Sequence, residues 1–222
     1  MSQLHPTLFE FLLELKENNN RDWFAANKAR YETVVRQPLL QFIADFAIRL
    51  PQISPKFVAD NRAMFRIQRD VRFSKDKSPY KIAAAVQFRH AVGKDVHAPG
   101  FYLHLEPGQI FAGGGIWQPD GKALSKIREA IITQPEAWIH ASTNDRFREV
   151  YTLGGESLKN PPRGFDLDHP LIADLKRKDF VASAPLTVEA VCAPNFVDYY
   201  TELCQRAAPF IQFLTQAMGL SW

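Results

Sequence analysis

Residues 65–90 read "FRIQRDVRFSKDKSPYKIAAAVQFRH", and the fold turns on their periodicity. Over 65–73 the odd positions Phe65, Ile67, Val71 and Phe73 are apolar, interrupted by Arg69, and Arg66, Gln68, Asp70 and Arg72 between them are polar. Ile82, Ala84, Val86 and Phe88 then alternate with Ala83, Ala85, Gln87 and Arg89. A period of two sends successive side chains to opposite faces, so both segments are predicted as strands with one face in the core. "SKDKSPYK" becomes the loop at the end of the first strand, stiffened by Pro79. Arg62, Arg66, Arg69 and Arg72 also fall near a helical repeat, which leaves a solvated helix face as the competing reading.

Downstream the alternation continues. Phe101, Leu103 and Leu105 alternate with Tyr102, His104 and Glu106, and "EPGQ" supplies a tight turn into "IFAGGGIW". Such short connections predict an antiparallel meander of three or four strands. Helices flank it. Upstream, Leu8, Leu12 and Leu15 form an apolar stripe behind Pro6. Asn20 is a cap for a second helix that carries Phe24, Tyr31 and Val35 inward. Pro38 either kinks that helix or opens a third, with Leu39, Phe42, Ile43, Phe46 and Leu50 at helical spacing. Downstream, Leu124, Ile127 and Ile131 repeat after "PDG", and 135–151 reads as helix in pieces. "YTLGGESLKNPPRGFDLDHP" reads as irregular chain, followed by a short helix near 171–175 and an extended piece near 180–184. Phe196, Tyr199, Leu203, Ala207, Phe210 and Leu214 trace a long final helix. The fold class is therefore α+β: a central antiparallel meander sheet of about four strands packed by N-terminal and C-terminal helices, in one domain over 1–222.

The 222 residues are 46% hydrophobic, enough for a sizeable core, and the net charge is only +3. That is far from a dedicated nucleic-acid packer. The charge is concentrated, however: 62–81 holds seven cations against two acids, so the rest of the chain is slightly acidic. Cys192 and Cys204 have neither redox nor zinc spacing, which fits a reduced, cytoplasmic protein. The first twenty residues lack a basic leader, and no uncharged run reaches membrane-spanning length, so neither a signal peptide nor a membrane partner is expected.

As a strand, 65–73 would turn Arg66 and Arg72 to one polar sheet face, which Arg89 and the Tyr102, His104 and Glu106 set could share. Guanidinium forks match phosphate and carboxylate oxygens. Lys75, Lys77 and Lys81, with Ser74 and Ser78, would add contacts from the loop, and Tyr80 and Phe73 offer rings for a base. The plain alternative is cross-strand ion pairing. Arg69 interrupts the apolar face, so it must be paired, bulged outward or functional, with Asp70, Asp76 and Glu106 as partners. Gly113, Gly114 and Gly115 precede a helix starting near Pro119 and could offer backbone N–H groups to a phosphate. Without a P-loop or dinucleotide pattern, a tightly packed strand end and bulge is the favoured reading of them. His104 and Glu106, two apart, are candidates for a base and its orienter. His90 and His97 lie nearby, but no metal-binding spacing appears and no metal is expected. In "PPRGFDLDHPLIADLKRKDF", Asp168 is predicted to cap a short helix, with Lys176, Arg177 and Lys178 near its end.

Together "RDVRFSKDKSPYK", "PGFYLHLEPG", "GGGIW", "RGFDLDHP…LKRKDF" and the upstream "NNNRDWF" resemble a widespread microbial family of uncharacterised proteins, the domain-of-unknown-function family numbered 2461. The resemblance spans nearly the whole chain. It implies no activity, cofactor or catalytic residue. Ile82 to Ala84 stand where that family's pattern suggests a Thr-His-like pair, so no His role directly after Lys81 is carried over.

Three functions fit. The first is binding of a phosphorylated, nucleotide-like or nucleic-acid ligand through Arg66, Arg69, Arg72, Lys75, Lys77, Tyr80, Lys81 and Gly113–Gly115. The second is a structural or interaction protein with internal ion pairs that dimerises through its C-terminal helix. The third is an enzyme for an anionic substrate, with Arg66 and Arg72 as clamp and His104 or Glu106 as acid or base.

Overall fold

The computed structural model describes residues 4–93 and 98–222. The N-terminal helices form as their caps and spacing require. α1 (Pro6–Glu17) carries Pro in its first turn and buries Leu8, Leu12 and Leu15 completely. α2 (Arg21–Tyr31) is capped by Asn20, whose Oδ1 accepts the Trp23 N–H at 2.9 Å. Pro38 lies in the first turn of a third helical segment that continues from the second. A π turn over Glu32–Arg36 runs directly into α3 (Gln37–Ala47), with the Gln37 N–H donating to Glu32 O, five residues back. Pro38 brings no N–H of its own, and the wider turn carries the chain past it.

One antiparallel sheet of six strands follows, in the order β1-β2-β3-β4-β6-β5. Its members are β1 (Phe57–Val58), β2 (Ala84–His90), β3 (Gly100–Glu106), β4 (Gln109–Ile116), β5 (Thr152–Gly154) and β6 (Phe180–Pro185). The meander β2-β3-β4 is the predicted one, and Pro107-Gly108 turns the hairpin between β3 and β4 with Gly108 at φ +87°. Three strands of the expected meander are present, and β6 together with β1 and β5, the last two too short to leave a periodic signal, makes the six. β6, the extended piece foreseen near 180–184, pairs with β4.

Register assigns the faces. Val86 pairs with Leu103, Leu103 with Ala112, and Ala112 with Ala184. These residues are buried and face the helices. α9 (Phe196–Ala217) lies against β4 and packs on α3, α4 (Gly121–Thr133), α5 (Pro135–Thr143) and the short helices α6 (Asp145–Arg148) and α8 (Val188–Cys192), and α1 reaches β3. Phe42, Phe46, Phe88 and Tyr200 interlock at the centre, with ring centroids 4.6–6.5 Å apart. The stripe of α9 runs through Phe196, Tyr200, Leu203, Ala207, Phe210 and Leu214, all within the core. Tyr199, expected on that stripe, is 37% exposed, one residue out of phase.

Two local expectations are corrected. Residues 65–73 form no strand. Isolated bridges, Met64 to Val86 and Gln68 to Tyr80, stand in place of a ladder, and Phe65 N–H donates to Ala85 O of β2. Arg69 N–H donates to Pro79 O and Lys81 N–H to Ile67 O, so 65–81 doubles back on itself as one long loop. Asp168 caps nothing. The short helix α7 (Ile172–Leu175) has no side-chain cap, and His169 Nδ1 instead accepts the Leu171 N–H at 3.1 Å. Of the cations that follow, Arg177 pairs with Asp174 at 3.0 Å and Lys178 with Glu156 at 2.5 Å.

Candidate functional site

The face of the sheet opposite the helices carries the candidate site. β3 projects Tyr102, His104 and Glu106 to this side, because Phe101, Leu103 and Leu105 take the core. His104 lies between Ala85 of β2 and Phe111 of β4. The 65–81 loop folds toward the β2 side of this face and contributes Phe65 and Lys81, and Trp117 stands at the end of β4. Together they surround a hollow of about 470 Å³ with mostly apolar walls.

A hydrogen-bonded chain runs along its floor. Tyr102 OH lies 2.8 Å from His104 Nδ1, and His104 Nε2 lies 3.2 Å from Glu106 Oε2. One tautomer satisfies both contacts: Nε2–H donates to the carboxylate, and the phenol donates to Nδ1. Phe111 stacks on the imidazole at 4.9 Å and 19°, and Tyr102 meets Phe65 edge-on at 6.2 Å. Burial, and secondly the charge of Glu106, push the Tyr102 phenol up to about 12, so at neutral pH it is a donor and not a phenolate.

Lys81 places its Nζ over the Phe65 ring, 5.2 Å from the centroid. It has no ion pair among the described residues. Burial, and then the neighbouring Arg66 charge, lower its pKa.

The family model described as "Conserved hypothetical protein (DUF2461)" matches residues 7–213. The chain belongs to the DUF2461 family. No curated protein and no solved structure matches it significantly. The matched range takes in every strand of the sheet and nearly all of α9.

Within this DUF2461 chain the residues singled out from sequence divide into groups. Lys81, His104 and Glu106 share the hollow, and Gly114 and Gly115 border it. The glycines lie inside β4, paired to β3 and β6 on either side, and not at a helix N-terminus. Their smallness serves packing: a Cβ on Gly114 would meet Ile211 Cδ1 at 2.7 Å. Gly113 pairs with Tyr102 and Ser183. Arg66 borders a neighbouring hollow of about 280 Å³ beside Glu32 and Arg36.

The loop tip is occupied with itself. Arg72 grips Asp70 through Nε at 3.0 Å and NH2 at 2.6 Å, and that guanidinium holds the Asp70 carboxyl down to about 2. Arg69 pairs with Asp76, which also accepts from Ser78 N and Oγ. Those Ser78 bonds foremost, then Arg69, keep the Asp76 carboxyl well below its usual range. Lys77 Nζ donates to Val71 O at 2.9 Å, and Lys75 is exposed with no ion pair among the described residues. Tyr80 stacks on Phe24 at 4.1 Å, and Asn19 clamps its backbone at both N–H and C=O. His90 faces away from the site, bonded to Ser221 O at 3.0 Å, and His97 lies outside the described residues. Phe65, Phe111 and Trp117 are the walls that residue-by-residue reading did not single out. Only the period-two position of Phe111 opposite the polar face of β3 hinted at one of them.

Proposed function

We propose that the hollow binds a small organic anion that carries a flat ring. The ring lies among Phe65, Phe111 and Trp117, and the acidic group meets Lys81. One observation carries this reading: the Lys81 ammonium borders an aromatic-walled concavity with no ion pair of its own among the described residues. Apolar concavities with a few placed polar groups are the usual form of small-molecule sites. An unpaired ammonium inside one gains a charge-assisted bond from a ligand acid. The tip arginines Arg69 and Arg72 already hold Asp76 and Asp70, which favours a small ligand over a nucleic-acid strand.

Titrating tryptophan fluorescence with a nucleoside monophosphate at two salt concentrations tests it. A saturable change is expected, weakened about tenfold or more in Lys81→Gln, the scale of one charged hydrogen bond. A salt slope of several charges would point to nucleic acid instead. No saturation, or an unchanged Kd in Lys81→Gln, removes the proposal.

A second reading rests on the Tyr102–His104–Glu106 chain, in which a carboxylate orients an imidazole toward a phenol. That order suits general acid–base work on a bound anion. Hydrolase screens that turn up an activity surviving both His104→Ala and Glu106→Gln would reject it.

A further inference from the structure

We propose that Lys81 is an imine-forming amine toward small aromatic aldehydes and ketones entering the same hollow. This does not depend on the anion reading, because a neutral carbonyl compound suffices. Three observations place the chemistry. Lys81 borders the concavity rather than open solvent. No carboxylate pairs with it among the described residues to hold it as an ammonium. Another cation, Arg66, acts on it from the same loop, and Tyr102, His104 and Glu106 of β3 line the same space. An amine that is partly desolvated beside a second cation is the standard way a lysine becomes nucleophilic near neutral pH. Burial first and Arg66 second act in that direction on Lys81.

The step balances without an oxidant. The neutral amine attacks the carbonyl carbon, a C–N bond forms as the C=O π bond breaks, and one N–H proton passes to the oxygen, which becomes a hydroxyl. That hydroxyl takes the second N–H proton and leaves as water, the C–O bond breaking as C=N forms. The hydrogen-bonded Tyr102–His104 pair lines the same space and is placed to relay those protons.

The test uses benzaldehyde with cyanoborohydride, which delivers hydride to the imine and makes the adduct permanent. Peptide mass spectrometry reads the rate at each lysine of the wild-type chain across pH 6–10. Lys81 is expected to react about tenfold faster than exposed Lys75 at neutral pH, the order an activated amine gains. Its profile should lie at lower pH than that of Lys75 and move upward in Arg66→Gln. Superimposed profiles, or a Lys81 slower than Lys75, overturn the proposal. Nucleotide binding without selective trapping leaves the anion reading standing and removes this one, and trapping without nucleotide binding does the reverse.

Discussion

At the scale of single residues, the period-two pattern in β3 turns Tyr102, His104 and Glu106 to one side, and their spacing brings side chains two apart into hydrogen-bond range. The pattern can name these three but not their order of donation, which depends on atoms and not on positions. The phenol offers a direct check. Difference ultraviolet titration of wild type against Tyr102→Phe should show this phenol ionising near pH 12. In Glu106→Gln it should ionise at lower pH, because the carboxylate charge that opposes phenolate has gone. An ordinary tyrosine titration in the wild type would refute the buried chain. Arg69 was legible in the same partial way. The apolar face that called for a partner does not form, yet Asp76, one of the partners read from the sequence, pairs with it inside the loop.

Elements show where periodicity stopped being sufficient. β2, β3 and β4 alternate and are strands. Residues 65–73 alternate and are not. Ile67 is buried, but Phe73 is 97% exposed, so the apolar positions share no core surface. Short-range bonds from Asp70 and Asp76 to residues two further on curl the chain instead. The loop depends on a distant clamp. Asn19→Ala removes both side-chain bonds to the Tyr80 backbone and should cost about 1–2 kcal/mol. Amides across 67–81 should then exchange faster while β3 amides stay protected, and unchanged loop exchange would refute the clamp. In β4, Gly115 has φ +124°, and a Cβ there would fall 1.9 Å from Phe180 O. Gly115→Ala should therefore cost about 3 kcal/mol or more by chemical denaturation, since strain and a backbone clash combine. A loss near 1 kcal/mol, typical of a relaxed site, would contradict the tight β4–β6 approach.

For the whole molecule, the core is dominated by rings, and several belong to tyrosines. Burial raises the phenols of Tyr31, Tyr102, Tyr151 and Tyr200. The folded chain holds these protons more tightly than the unfolded chain. Their stabilising contribution is thus whole below the unfolded value of about 10 and is lost as pH rises through the folded values. The denaturation midpoint should hold steady up to about pH 9 and drop steeply between 10 and 12. A midpoint flat across that range would mean these phenols are hydrated in the fold. No helix among the described residues is long and apolar enough to cross a membrane.

Local pattern by itself determined the helices at both ends, the meander in the middle, the α+β class and the polar identity of the outer face of β3. These follow from side-chain period, caps and turn residues, which act over a few positions. Tertiary structure alone decided that Lys81 meets Phe65, Trp117 and the Tyr102–His104–Glu106 chain around one hollow, and that Arg69 and Arg72 are spent on their own loop. Those outcomes depend on strand register, on a loop anchored from Asn19 sixty-one residues away, and on β6 joining the far side of β4. Each is a long-range pairing whose free energy is settled only when the entire sheet is assembled.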